Sequence, residues 1–304
     1  MSATLVLALA FVSAPPAAQL LPNQPIIVEG RDLRDRASDY VDKMLPTTFA
    51  GQFGRYEDPI CVKTVGLTEP LSREVIDRMQ LVAKTVGVEV DNPSCTPNLI
   101  LITTPDKRAL IATLRKSRPA YVNGISTEEL NRQANSPRPF ATWQMVELIA
   151  ADGMRIGGSD SFPGAGNLAT DGVHTFHDQN AAPLKTTVTP SRLRSNAKAK
   201  LMASIVVVET GALRGATAWQ LADFALVRGV TPLAGKGEAP NSSILSLFNA
   251  GVTPETAPQS LTWWDVAFLK SLVNTRSDAL ANVQRNEIRN HMIKEVEKAP
   301  IAER

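Results

Sequence analysis

The sequence predicts an α+β fold: a mixed sheet with crossover helices, followed by a helical C-terminal part. Three observations predict it. Between residues 60 and 116, short β-type apolar runs alternate with helical periods, the signature of crossover units on a sheet. The run "MASIVVVE" at 202–209 reads as a strand and leads directly into the helical "ATAWQLADFALVRGVT" at 216–231. Beyond Pro232 every remaining period is helical.

In chain order, a helix comes first, with Leu33, Ala37, Tyr40, Val41 and Met44 at helical spacing. A strand from Ile60 to Val65 follows, then a helix with Ser72 as N-cap. That helix carries an apolar stripe of Ile76, Met79, Val82, Ala83 and Val86, and Gly87 stops it. "NLILITT" at 98–104 is the next strand and "DKRALIATLRK" at 106–116 the next helix. A strand over Trp143–Ala150 runs into a stretch rich in Gly, Ser, Asp, Asn and Pro, read as a long loop. After the strand at 202–209 comes the helix at 216–231, closed by Gly229. "NSSILSLFNAG" is a short capped helix, "SLTWWDVAFLKSLVN" a longer one starting near Thr262, and the last helix aligns Leu280, Val283, Ile288, Met292 and Val296. This organises the chain as 1–18 leader, 19–57 linker and N-terminal helix, and 58–298 a single α+β domain.

Composition constrains partners more than it names them. Across 304 residues, 32 basic and 30 acidic side chains leave a formal charge of +2, which gives no overall field to attract nucleic acid. The opening "MSATLVLALAFVSAPPAAQ" has the apolar run and small residues of a signal peptide, with cleavage expected after Ala18, although no Lys or Arg precedes the run. It is shorter than the roughly 20 apolar residues a spanning helix needs, and no span is expected once it is removed. No Cys near the cleavage point forms a lipobox. A periplasmic location is therefore expected, and in it Cys61 and Cys95, an even count, are expected to pair as a disulfide.

Chemical motifs are sparse. "GAGNLA" at 164–169 fits G-x-G-x-x-A, but Pro163 precedes it and no helix follows, so it reads as a turning loop. "SNAK" at 195–198 has S-x-x-K spacing without its companion motifs. "DGVHTFHD" gathers Asp171, His174, His177 and Asp178, groups suited to zinc if a loop brings them together. Trp263 and Trp264 stand at a helix start about 100° apart, so one is expected to face outward and serve partner or ligand contact.

The strand at 202–209, Gln220–Gly229, Ser243–Phe248 and Leu261–Asp265 together resemble a proteobacterial domain family of unknown function with members assigned as lipoproteins. In that family a strand leads to an E-L-x-Q-x-L-G-L helix, then S-I-F, then an L-T-x-x-D helix. The resemblance covers roughly a third of the chain and implies a zincin-like layout. Zincin peptidases carry H-E-x-x-H on the first of these helices, and here Gln220, Leu221 and Phe224 stand in its place, with Asp223 the one carboxylate. A zinc hydrolase needs about three ligands and a base, so the scaffold is expected to be degenerate. The expected function is that of a non-catalytic exported protein, without cofactor, that binds a periplasmic or envelope protein, or a peptide along a sheet edge, or serves assembly. The alternative is a metal-dependent hydrolase using zinc at Asp171, His174, His177 and Asp178, or a site built from Glu209 and Asp223.

Overall fold

The computed structural model describes residues 29–45, 52–150, 195, 197–232 and 237–299. Its helices are α1 (Glu29–Met44), α2 (Glu69–Val86), α3 (Lys107–Ser117), α4 (Thr127–Asn135), α5 (Ala218–Val230), α6 (Trp263–Asn274) and α7 (Ala281–Val296). Its strands are β1 (Val62–Val65), β2 (Leu99–Thr104), β3 (Phe140–Ala150) and β4 (Ala197–Glu209). They form one sheet in the order β1-β2-β4-β3, with β1, β2 and β4 parallel and β3 antiparallel to β4. The architecture is α+β, as the sequence predicts, with a mixed four-stranded sheet.

The strands divide their side chains between two cores by simple alternation. Leu99, Leu101, Val206 and Val208 face the larger core, which α1, α2, α5, α6 and α7 enclose. Ile100, Ile102, Ile205 and Val207 face the smaller one, with Ile111 of α3 and Leu130 of α4. Both faces of β2 and β4 are thereby covered, which is why they read as continuous apolar runs. Ala37, Tyr40, Val41 and Met44 of α1 lie in the larger core, so that core begins ahead of residue 58.

Several local expectations are corrected. Helix α2 starts at Glu69 with Pro70 in its first turn and Thr68 as N-cap, not at Ser72; the Ser72 hydroxyl instead bonds Thr64 at 2.6 Å. Gly87 does end it, in the left-handed region at φ 87°, with Val88 N–H reaching back to Ala83 O at 2.9 Å. Gly229 does not close α5, which continues to Val230; a Cβ there would lie 2.3 Å from Leu99 Cδ1. This glycine lets the helix approach β2. Strand β4 begins at Ala197 and β3 at Phe140, each extending earlier than apolar content alone indicates. The early part of β4 alternates Ala with Lys, and Lys200 reaches Asp58 at 2.6 Å. The segment Ile244–Phe248 is a 3₁₀ helix, not α. Helix α4 was not anticipated, because Leu130 is its one buried residue.

Cys61 and Cys95 form a disulfide with their Cα atoms 5.9 Å apart, tying the entry of β1 to the turn before β2. Beside it, Asn98 accepts from Cys61 N at 2.7 Å and donates to Pro59 O at 3.1 Å. Among the described residues no helix is long and apolar enough to cross a membrane.

Candidate functional site

Helix α5 opens with a capping box. Thr217 Oγ1 accepts from Gln220 N at 3.1 Å, and Gln220 Oε1 accepts from Thr217 N at 3.0 Å. The Gln220 amide then donates to Pro254 O at 2.7 Å and Pro258 O at 3.2 Å, fastening the helix start to the loop before α6. Gln220 is completely buried, and Leu221 nearly so. Phe224 is fully buried and meets Phe248 edge-on at 4.7 Å and Phe140 at 5.2 Å. Gln220, Leu221 and Phe224, for which the resemblance implies the places of ligands and base, are a cap, an aliphatic core side chain and a member of an aromatic cluster.

Asp223, also fully buried, is bound from three directions. Arg78 of α2 donates through Nε and Nη2, both at 2.7 Å, and Leu261 N donates at 2.6 Å. The fork geometry is the strong form of an Arg–carboxylate pair, and it holds the Arg78 guanidinium still further above its ordinary value. On its outer side Arg78 lies 4.6 Å from the centroid of the Trp219 ring. Trp219 is 51% exposed, and Leu81, one turn along α2 from Arg78, is 58% exposed. Pro70, Glu74 and Asp77 complete an open groove of about 460 Å³ between α2 and α5. Arg78 is neutralised by Asp223, and Arg73 pairs with Glu69 at 3.2 Å. Glu74 and Asp77 make no ion pair among the described residues, so the groove is apolar at its centre and acidic at its edge.

The α6 motif is equally structural. Thr262 caps the helix, accepting from Asp265 N at 3.1 Å. The buried Asp265 carboxylate accepts from Tyr40 Oη at 2.6 Å, Ser243 Oγ at 2.5 Å, Ile244 N at 2.8 Å, and Thr262 N and Oγ1 at 3.1 and 2.9 Å. Burial raises its pKa above the ordinary carboxylate range, against the opposing pull of these hydrogen bonds.

The tryptophan pair divides. Trp263 is 37% exposed, whereas Trp264 is buried, stacked on Tyr40 at 5.7 Å, with Arg36 4.8 Å over its ring. One of the pair faces outward, as expected: of the two candidates Trp263 is the outward one, and Trp264 is core. Glu209 Oε1 accepts from Lys107 N at 3.1 Å at the start of α3, and Asp223 is committed to Arg78, so both carboxylates of the second hydrolase option are already bound within the fold. Lys198 lies on strand β4, not on a helix, with its Nζ 3.6 Å from Glu57, while Ser195 Oγ accepts from Ala197 N. Asp171, His174, His177, Asp178, the "GAGNLA" segment and the leader lie outside the described residues. Among the described residues no three His, Cys, Asp or Glu side chains are grouped to hold a metal ion.

The residues that sequence reasoning missed are Trp219, Leu81 and Arg78. Leu81 carried a signal, since it is an apolar residue off the buried stripe of Val75, Met79, Val82, Ala83 and Val86. The Arg78–Asp223 pair, 145 residues apart in sequence, carried none. Comparisons of the chain with protein-family models, with curated proteins and with solved structures find no match.

Proposed function

We propose that this protein is a non-catalytic binding protein of the cell envelope, exported to the periplasm, whose zincin-like frame has lost its metal chemistry. The observation that carries this reading is the division of labour on α5. Its would-be catalytic positions are buried, Gln220 in a capping box and Leu221 and Phe224 in apolar packing, while its outward Trp219 stands beside Leu81 over an ion pair. Exposed tryptophan packed against arginine is the composition of binding hot spots. The disulfide supports an oxidising compartment, which fits export. The partner is a protein segment presenting an apolar side chain next to Lys or Arg, matching the apolar centre and the acidic edge formed by Glu74 and Asp77.

Site-specific photo-crosslinking tests this. A crosslinking residue at 219 is expected to give a discrete adduct in cells, abolished by Leu81→Asp, while the same residue at Thr113 on α3 gives none. Equal labelling from both positions, or an adduct indifferent to Leu81→Asp, would count against the assignment.

A further inference from the structure

The face of the sheet opposite the Trp219 groove carries α3 and α4, and the loop between them holds the chain's one Asn-Gly sequence, Asn123–Gly124. Ile125 N donates to Val122 O at 3.2 Å, so residues 122–125 form a turn with Asn123 and Gly124 at its tip. Gly124 sits at φ 77°, in the left-handed region that glycine adopts freely. Val122 is buried in the smaller core, and Tyr121 and Ile125 pack against it, so both flanks of the turn are anchored. The tip faces outward: Gly124 is exposed and Asn123 half-buried. Neither the Asn123 carboxamide nor the Gly124 N–H has a hydrogen-bond partner among the described residues.

Elsewhere the fold ties asparagine side chains down. Asn98 is bonded to Cys61 N and Pro59 O, Asn249 accepts from Ala239 N at 3.1 Å and donates to Ala239 O at 2.8 Å, and Asn135 donates to Asn131 O at 2.8 Å. Asn92 precedes Pro93, which has no N–H. Asn286 and Asn290 lie inside α7, whose backbone amides are spent in the helix. Asn241 is exposed, but Ser242 follows it, and a Cβ there crowds the next amide nitrogen. We infer that Asn123 is a self-modification site, where the Gly124 nitrogen converts the side-chain amide into aspartate and isoaspartate. The Gly124 nitrogen attacks Asn123 Cγ and gives up its proton; a C–N bond forms, and the amide nitrogen leaves as ammonia, closing a succinimide. Water then opens the ring. Cleavage at Cγ yields aspartate, and cleavage at the backbone carbonyl yields isoaspartate, with the chain continuing through Cγ. Water is the one co-reactant, and nothing is oxidised or reduced. Either product places a new carboxylate between α3 and α4, and isoaspartate adds a methylene to a turn whose two flanks are held by the core.

The test is prolonged warm incubation of the oxidised full chain in mildly alkaline buffer, followed by tryptic peptide mapping. Because Arg118 precedes Pro119, trypsin is expected to release residues 117–132 as one peptide, and fragmentation then separates change at Asn123 from change at Asn131. The folded wild type is expected to convert at Asn123 within about tenfold of the rate of the urea-unfolded chain, a barrier difference of at most about 1.4 kcal/mol. The product should appear as two peptides of equal mass, isoaspartyl and aspartyl. Asn123→Gln, whose longer side chain cannot close a succinimide, is expected to slow the conversion at least about tenfold, and its folding is checked by circular dichroism. An Asn123 that stays intact in the folded chain while the unfolded chain converts would show that the fold protects it and overturn the inference. Conversion at Asn131 instead, or an aspartyl product with no isoaspartyl partner, would equally overturn it.

Discussion

Five hydrogen bonds converge on the Asp265 carboxylate, from Tyr40, Ser243, Ile244 and both donors of Thr262, joining α1, the Ile244–Phe248 turn and α6. Its folded-state pKa is raised, so the folded protein holds the proton more readily than the unfolded chain does. The stability contributed by this group is then complete below the ordinary carboxylate pKa and is lost as pH rises through the raised value. Asp265→Asn cannot titrate. Its deficit against wild type, read from urea midpoints between about pH 4 and pH 7, should shrink as pH rises; a growing deficit contradicts the account. The Arg78–Asp223 pair makes a second residue-scale prediction. Arg78→Met strands a buried carboxylate and should cost about 3–5 kcal/mol, while Arg78→Met with Asp223→Asn should recover a large part of that. None of these long-range pairings could be read from the sequence. Asp223 stands there as a lone helical carboxylate and Asp265 as the third residue of a cap, and only the fold supplies Arg78 and Tyr40.

Elements were more legible than pairings, because their signals are local. The runs at 98–104 and 202–209, and the stripe of α2, announce themselves by period. What failed was polarity in the wrong place: the Lys residues of early β4, and α4, whose signal was the cap in which Ser126 Oγ accepts from Glu129 N at 3.1 Å. Gly229 was read as a stop because glycine does stop helices, yet here it permits contact with Leu99. Gly229→Ala should therefore destabilise by about 1–3 kcal/mol through overpacking, although alanine is the better helix former by about 1 kcal/mol. A gain in urea midpoint would show that Leu99 yields freely. The disulfide spans 34 positions, and replacing Cys61 and Cys95 by Ser should cost about 3–4 kcal/mol by the chain-entropy estimate. Denaturation of the oxidised and serine forms checks this.

At the scale of the whole molecule, the cap of α5, its aromatic cluster and the Asp265 hub immobilise one side of the sheet, and the α2–α5 groove presents Trp219 from that rigid base. The proposed loss of metal chemistry predicts no stoichiometric zinc in the untagged protein by elemental mass spectrometry; zinc bound by wild type and lost on His174→Ala with His177→Ala would restore the hydrolase alternative. The most direct measurement of the central claim is selection of a random peptide library on the oxidised protein, followed by affinity measurement on wild type and Trp219→Ala. The account predicts enriched peptides pairing an apolar residue with Lys or Arg, and a loss of about 30-fold or more in affinity on Trp219→Ala. Enriched peptides that bind both forms equally would place the binding face elsewhere and contradict it.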